Sequence, residues 1–254
     1  MNYRAFLPCA IIAVALTVPA SVKAAQVTEL LAQGDALDVQ LKTKEALATY
    51  LEAEKQAPSN AEVLRRIAKA EAELMTETGV KTQRKDLGVK SVDYARRAVA
   101  ADPNNAMTHL TLAVCCGRVA PYLDNQDKIN YSKIVKEHAG KALALDPSND
   151  YGYHVLGAWN YELAGLNPIL RAIAKIVYGS VPEASYDDAV ANFKKAIALA
   201  PQRVAHHIEL GRTYAAMGQA KLAKAELTEG LALPCREKDD PETKERGRLA
   251  LQKL

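Results

Sequence analysis

The chain contains few of the residues that define disulfide scaffolds, zinc sites and β-rich domains. Its 254 residues include four cysteines, and none of them forms a CxxC pair, which excludes a disulfide framework and a zinc site of the usual spacing. Aromatic residues make up 6%, with one tryptophan and two phenylalanines, whereas alanine is abundant. This balance favours helices over a β-sandwich or a β-barrel.

Strong net charge and catalytic motifs are also lacking. The 33 basic and 30 acidic residues leave a net charge of +3, which argues against nucleic acid as the main partner. The sequence has no GxSxG, P-loop, GxGxxG or HExxH motif. His206 and His207 are adjacent, so on a helix they point about 100° apart and cannot chelate together. We therefore expect a non-catalytic protein without a cofactor or a metal ion.

Residues 1–24 have the pattern of a secretory signal peptide. Arg4 precedes a mostly apolar stretch at residues 5–20, and small residues precede a cleavage site after Ala24. The stretch is shorter than the roughly 18 to 20 residues that span a bilayer, and Pro8 and Pro19 interrupt it. We expect an exported protein, periplasmic or secreted after cleavage near Ala24. The alternative is an uncleaved N-terminal anchor.

A repeat follows the signal segment. The pattern Ala-x3-aromatic-x2-Ala-x4-Pro occurs in full twice, and weaker copies end at Pro103 and Pro147; the full copies are Ala46, Tyr50, Ala53, Pro58 and Ala189, Phe193, Ala196, Pro201. This pattern resembles the tetratricopeptide repeat, a helix-turn-helix unit. Its small residues lie where two antiparallel helices cross closely, its aromatic fills the gap beside them, and its proline stops the second helix.

The spacing of the prolines predicts an all-α solenoid of about five helix pairs over residues 25–254. The predicted units are 27–60, 61–105, 106–149, 150–203 and 204–237, followed by a C-terminal capping helix at 239–254. The middle three units are longer than a standard repeat, and we expect their insertions between the helices, near 76–88, 120–129 and 163–185. Asp239 or Asp240 is the expected N-cap of the last helix.

Residues from about 105 to 254 resemble the regulator of microtubule dynamics family of tetratricopeptide-like proteins. The residues that carry the resemblance are Lys136-Glu137-His138, His154, Gly157, Trp159, Arg171, Lys175, Tyr178-Gly179, Pro182, Tyr186, Leu210-Gly211, Tyr214, Leu233-Pro234 and Asp239-Asp240. The resemblance implies a helical repeat domain without catalytic activity. Eukaryotic members of the family are linked to microtubules, and some to organelle membranes and lipid contact.

The first helix of each repeat lines the concave surface of such a solenoid. Counting along the units predicts a peptide-binding groove formed by Arg65, Lys69, Arg118, Tyr151, His154, Tyr161 and Arg212. Arginine pairs with carboxylates and aromatic rings supply contact area, so the predicted partner is a protein segment, extended or helical and acidic. The alternatives are that the cations are a solvated face and that the aromatic residues fill the core.

The fourth insertion contains an apolar stripe at helical spacing. Its members are Ile169, Leu170, Ile173, Ile176 and Val177, within residues 168–178, and Arg171 and Lys175 lie on the opposite side. One interpretation is an amphipathic helix that contacts lipid, which would make the protein a carrier of lipid or of an apolar small molecule. The other is an extra helix packed on its own repeat, which we favour because two cations bind membranes weakly.

The cysteines allow one long-range bond. In an oxidising compartment Cys115 or Cys116 could pair with Cys235. We do not expect this bond, because a solenoid keeps distant repeats apart.

Overall fold

The computed structural model describes residues 20–167, 171–172, 175–176 and 183–254, and in these ranges the chain is helical without a strand. The helices are α1 (Ala20–Val39), α2 (Thr43–Gln56), α3 (Ala61–Leu74), α4 (Lys81–Ala101), α5 (Ala106–Val119), α6 (Asn125–Leu145), α7 (Asp150–Ala164), α8 (Tyr186–Leu199), α9 (Val204–Ala216), α10 (Ala220–Ala232) and α11 (Asp240–Leu251). The predicted all-α fold is confirmed. No helix in the described ranges combines the length and the hydropathy that a membrane span requires.

The helices pack as successive antiparallel pairs, α1 with α2 through α9 with α10, and α11 packs on the last pair. The first helices α3, α5, α7 and α9 also contact one another in succession. They form a continuous layer, which we call the inner face.

The large residues of the repeat motif fill the helix crossings. Tyr50 of α2 is 2% exposed and its ring lies against Gly34 of α1, where an added Cβ would stand 2.2 Å from Tyr50 Cε1. Phe193 of α8 packs in the same way on Gly157 of α7, where the corresponding distance is 2.8 Å. Only glycine allows so close an approach, so these pairs set the spacing of their helices.

Asparagine side chains start the inner helices. Asn60 Oδ1 accepts the N–H of Val63 at 3.1 Å, and Asn105 and Asn149 cap α5 and α7 in the same manner. Each asparagine lies two residues after a marker proline, so proline ends one pair and asparagine begins the next. Arg203 occupies the equivalent position before α9 and makes no capping hydrogen bond.

The insertions of the second and third units differ from the prediction that they lie between the helices. In each unit a single 3-10 turn, Met75–Glu77 or Ala120–Tyr122, follows the first helix, and the remaining extra residues lengthen the second helix. Helices α4 and α6 consequently have 21 residues each, against 14 in α2. The extra polar residues continue the helical backbone, which satisfies their N–H and C=O groups, as a loop would not. The third insertion lies largely outside the described residues.

Only the last residues of the predicted signal peptide, 20–24, belong to the described ranges, because residues 1–19 lie outside them. Helix α1 begins at Ala20, so the predicted cleavage after Ala24 falls inside its first two turns. Residues 21–26 are exposed, and Val27 is the first buried residue from Ser21 onward, where burial is described. The part of α1 that packs in the fold therefore follows the predicted cleavage point.

The capping helix α11 covers the open end of the last pair. Gly247 of α11 approaches Ile208 of α9, and Leu251 packs on the same apolar cluster. Asp239 occupies the N-cap position of α11, as predicted, but without a side-chain cap. Asp240 Oδ2 instead accepts the N–H groups of Arg236 and Glu237, both at 2.7 Å, because the chain turns tightly before the helix.

Candidate protein-interaction groove

The seven predicted groove residues all lie on the first helices of their pairs, α3, α5, α7 and α9. On α3, Arg65 pairs with Glu62 at 2.8 Å, and Lys69 Nζ lies 2.5 Å from Asp38 of α1. Both cations are therefore neutralised by acidic side chains of the same chain. The pair of Lys69 joins α1 to α3, whereas the pair of Arg65 lies within α3.

Arg118 of α5 contacts a residue far along the chain. Its Nη2 lies 2.7 Å from Asp239 Oδ2, across 121 residues, and each side chain is about one-quarter exposed. Arg118 also lies close to Tyr151 of α7, and burial raises the pKa of the Tyr151 phenol to about 12. Arg118 and Tyr151, two of the predicted groove residues, are therefore brought together. The carboxylate of Asp239 pairs with the Arg118 guanidinium.

The acidic group belongs to the linker between α10 and α11, which we call the crossing segment (residues 235–239). The side chains of its last three residues, all charged, reach different helix pairs. Glu237 pairs with Arg203 before α9, Lys238 donates to Glu77 after α3 and to Thr43 at the start of α2, and Asp239 pairs with Arg118 of α5. The crossing segment therefore lies against the inner face and fills the part of it around Arg118.

The crossing segment carries several carboxylates in a small space. Oxygens of Glu237, Asp239 and Asp240 lie within 4.8 Å of one another. Burial raises the pKa of Glu237, and the neighbouring aspartates add to the rise, while Arg203 opposes it. This is a donor set of the type that binds hard cations, but Arg203 and Arg118 already supply two positive charges there. We assign it no metal.

A buried polar chain leads from the crossing segment into the core. Arg203 Nε and His206 Nε2 both lie 2.9 Å from Asp150 Oδ2, and His206 Nδ1 lies 3.0 Å from His154 Nδ1. Burial lowers the pKa of both histidines, and their mutual repulsion lowers that of His154 further. The ring of His154 also contacts the edge of Phe193, so this predicted groove residue is at the same time part of the core.

The last two predicted groove residues lie near the C-terminal end of the inner face. Arg212 stands over the ring of Tyr161 with 5.0 Å to the centroid, and its Nη1 lies 2.5 Å from Glu209. They line a shallow cavity of about 410 Å³ together with Arg246 and apolar residues of α11 such as Leu249. Tyr161 and Arg212, both predicted groove residues, therefore contact each other. They form a contact separate from that of Arg118 with Asp239.

The apolar stripe of the fourth insertion is described at one position. Ile176 is 84% exposed, whereas Ile169, Leu170, Ile173 and Val177 lie outside the described residues. The lipid-carrier interpretation built on this stripe stays a prediction.

The cysteines in the described ranges are free. Cys115 and Cys116 are buried on α5, and burial raises the pKa of their thiols to about 11 and about 12. Cys235 is exposed at the start of the crossing segment. Thiols with raised pKa are poor nucleophiles, so Cys115 and Cys116 act as small apolar residues.

Sequence reasoning missed the residues that occupy the inner face. Glu237 and Lys238 were not considered, and Asp239 was expected to cap a helix. One signal was available, because Arg203 stands where the other units have a capping asparagine. An arginine at that position makes no capping hydrogen bond to the helix. In the structure Arg203 forms ion pairs with Asp150 and Glu237 instead.

The family model described as regulator of microtubule dynamics protein 1-3 matches residues 30–254. The chain belongs to this family. The mouse regulator of microtubule dynamics protein 1 is 30% identical over 246 residues, which cover 94% of this chain and 78% of that protein. Its bovine counterpart is 29% identical over 245 residues, 94% of this chain and 76% of that one. The human regulator of microtubule dynamics protein 2 is 30% identical over 171 residues, 67% of this chain and 41% of that one.

Solved structures confirm the repeat fold of this family member. A thermophilic tetratricopeptide-repeat protein of Thermus thermophilus superposes with a TM-score of 0.64 at 18% identity, over 89% of this chain and 99% of that one. PilF of Pseudomonas aeruginosa superposes with a TM-score of 0.55 at 13% identity, over 92% of this chain and 93% of that one. The predicted tetratricopeptide-like solenoid is therefore confirmed, and such folds generally support a protein-interaction scaffold.

Proposed function

We propose that this member of the regulator of microtubule dynamics family is a non-catalytic adaptor whose inner face binds a short acidic segment of a protein partner. One observation carries the proposal: the inner face already binds two carboxylates of its own chain. Arg118 and Arg203 each bind a carboxylate of the crossing segment, and the side chain of Tyr151 packs beside Arg118. A surface that binds one such segment has the chemistry to bind another.

The partial burial of the two arginines supports this role. The side chains of Arg118 and Arg203 are 26% and 31% exposed. Removal from water strengthens charge-assisted hydrogen bonds, and partly desolvated arginine and tyrosine side chains are common anchors of protein interfaces. Arg65 and Lys69 are less suited to this role, because their carboxylate partners lie on the packed helices α3 and α1 and not in a linker.

A capture experiment with charge-reversed variants tests the adaptor. The chain and its Arg118→Glu variant are used to pull down proteins from cell-envelope extract, and Lys224→Glu on the exposed surface of α10 is the matched control. We expect a protein that the native chain and Lys224→Glu retain and that Arg118→Glu loses. Equal capture by all three chains would refute groove binding. Lipid retained equally by all three, without protein, would favour the carrier alternative.

Export of the chain is a second part of the proposal. The signal-like pattern of residues 1–24 supports it, as does the exposure of residues 21–26 before the buried Val27. The intact mass of the protein from an envelope fraction should correspond to a chain that begins at Ala25. A mass that includes residues 1–24 would favour the uncleaved anchor.

A further inference from the structure

We infer that the partner presents a tight turn with the charge order carboxylate, ammonium, carboxylate. In the chain without a partner, Glu237, Lys238 and Asp239 occupy the site on the inner face to which this turn binds. This inference rests on the proposed adaptor function and specifies the chemistry of the partner. It differs from the extended or helical peptide expected from the sequence.

The crossing segment has the geometry of a turn. The N–H of Asp240 donates to the carbonyl of Glu237 at 3.1 Å, and Asp240 Oδ2 accepts the N–H groups of Arg236 and Glu237. Such a turn makes successive side chains diverge, so three neighbouring residues can reach three separate partners. A segment in a regular strand would place the first and third side chains on one side, two residues apart.

The charges of Glu237, Lys238 and Asp239 each meet an opposite charge of the inner face. Arg203 binds the first carboxylate and Arg118 binds the second. Glu77 accepts the ammonium of Lys238 between them, and that contact lowers the pKa of Glu77. The three binding positions lie on different helix pairs, so a ligand with the reversed charge order would meet like charges at all three. Like-charge contacts of this kind exclude wrong partners.

The crossing segment can be displaced without breaking the fold. The backbone hydrogen bonds that the structure describes for residues 236–240 stay within the turn or lead into α11, and the segment reaches the inner face through side chains. Helix α11 is held separately by Gly247 and Leu251 on the cluster around Ile208. A competing turn would therefore replace side-chain contacts only, the ion pairs and the hydrogen bond of Lys238 to Thr43.

Occupation by the chain's own segment lowers the apparent affinity for any competitor. The apparent dissociation constant of a competitor equals its intrinsic dissociation constant divided by the fraction of molecules whose groove is open. Removing the three charges, in a Glu237→Gln, Lys238→Ala, Asp239→Asn variant, should leave the groove open while Asp240 keeps the turn. We call this the open variant.

Fluorescence polarisation with a labelled cyclic peptide tests the inference. The probe is a ring closed around Glu-Lys-Asp-Asp, and the control ring carries Lys-Glu-Lys-Lys. We expect the open variant to bind the probe at least about tenfold more tightly than the native chain, and to bind the control ring weakly. A linear peptide of the probe sequence should bind more weakly than the ring, because the turn is not preformed. Circular dichroism and the melting temperature check that each variant is folded.

Two further variants separate the outcomes. Arg118→Ala in the open variant should abolish probe binding, whereas Lys224→Glu should not change it. Equal binding of both rings, equal binding by native and open chains, or no binding by the open variant would overturn the inference. The adaptor function itself would survive that result if the native chain still captured a partner that Arg118→Glu lost. It would fail only if Arg118→Glu left capture unchanged.

Discussion

The ion pair between Arg118 and Asp239 gives the sharpest test of the crossing segment. Its two side chains are 26% and 25% exposed and their charged atoms lie 2.7 Å apart. Exposed ion pairs couple by about 0.2 to 1 kcal/mol, whereas breaking a fully buried pair costs about 3 to 5 kcal/mol. A pair with this intermediate exposure should couple by about 1 to 2 kcal/mol. The double-mutant cycle uses Arg118→Ala, Asp239→Asn and both together.

Urea unfolding of the four chains measures the coupling. The midpoint should shift while the slope of the free energy of unfolding against urea concentration stays constant. The pair of Glu137 and Lys141, four residues apart on α6 and more than half exposed, is the control and should couple by about 0.2 to 0.5 kcal/mol. A coupling of Arg118 with Asp239 no larger than that of the control pair would show that the crossing segment is not held on the inner face.

Three other predictions concern stability. Gly34→Ala places a methyl group 2.2 Å from the ring of Tyr50 and should lower the free energy of unfolding by about 1 to 3 kcal/mol; an unchanged urea midpoint would contradict the close crossing. Burial lowers the pKa of His154, so the unfolded chain binds more protons than the folded chain below about pH 6.5. The free energy of unfolding should therefore decrease as the pH falls from about 7 to about 5. A His154→Phe variant should lose less over that range, and equal losses in thermal melts would refute the burial effect. Asn60→Ala removes two capping bonds and should cost about 1 kcal/mol, whereas Gln219→Ala, at a helix start without such a bond, should cost less than half of that.

The repeat architecture could be predicted because its signals are local. A small residue and an aromatic at fixed spacing determine how closely two neighbouring helices cross, as Gly157 and Phe193 do. The lengths of the units also showed which of them carry extra residues. They could not show where those residues go, because an excess of about ten residues fits either a loop or a longer helix. In α4 and α6 the helix is longer.

The inner face was harder to predict than the fold. Counting along a repeat identified Arg118 and Tyr151, which the structure brings together. It could not identify what binds them, because Asp239 lies 121 residues away and belongs to a linker rather than to a repeat. The same limit applied to Lys69 and to His154, whose partners Asp38 and His206 lie on other helices. Periodicity within one helix carries no information about such partners.

The contact of Lys238 with Thr43 joins residues 195 positions apart. In a linear array of repeats each unit touches only its neighbours, so the two ends can unfold independently. Here the last linker touches the second helix of the array, and the line of units is closed into a loop. Such long-range closure raises the mean sequence separation of contacts, which slows folding. It also means that loosening the C-terminal end should loosen the N-terminal end, so that the molecule responds as one cooperative unit.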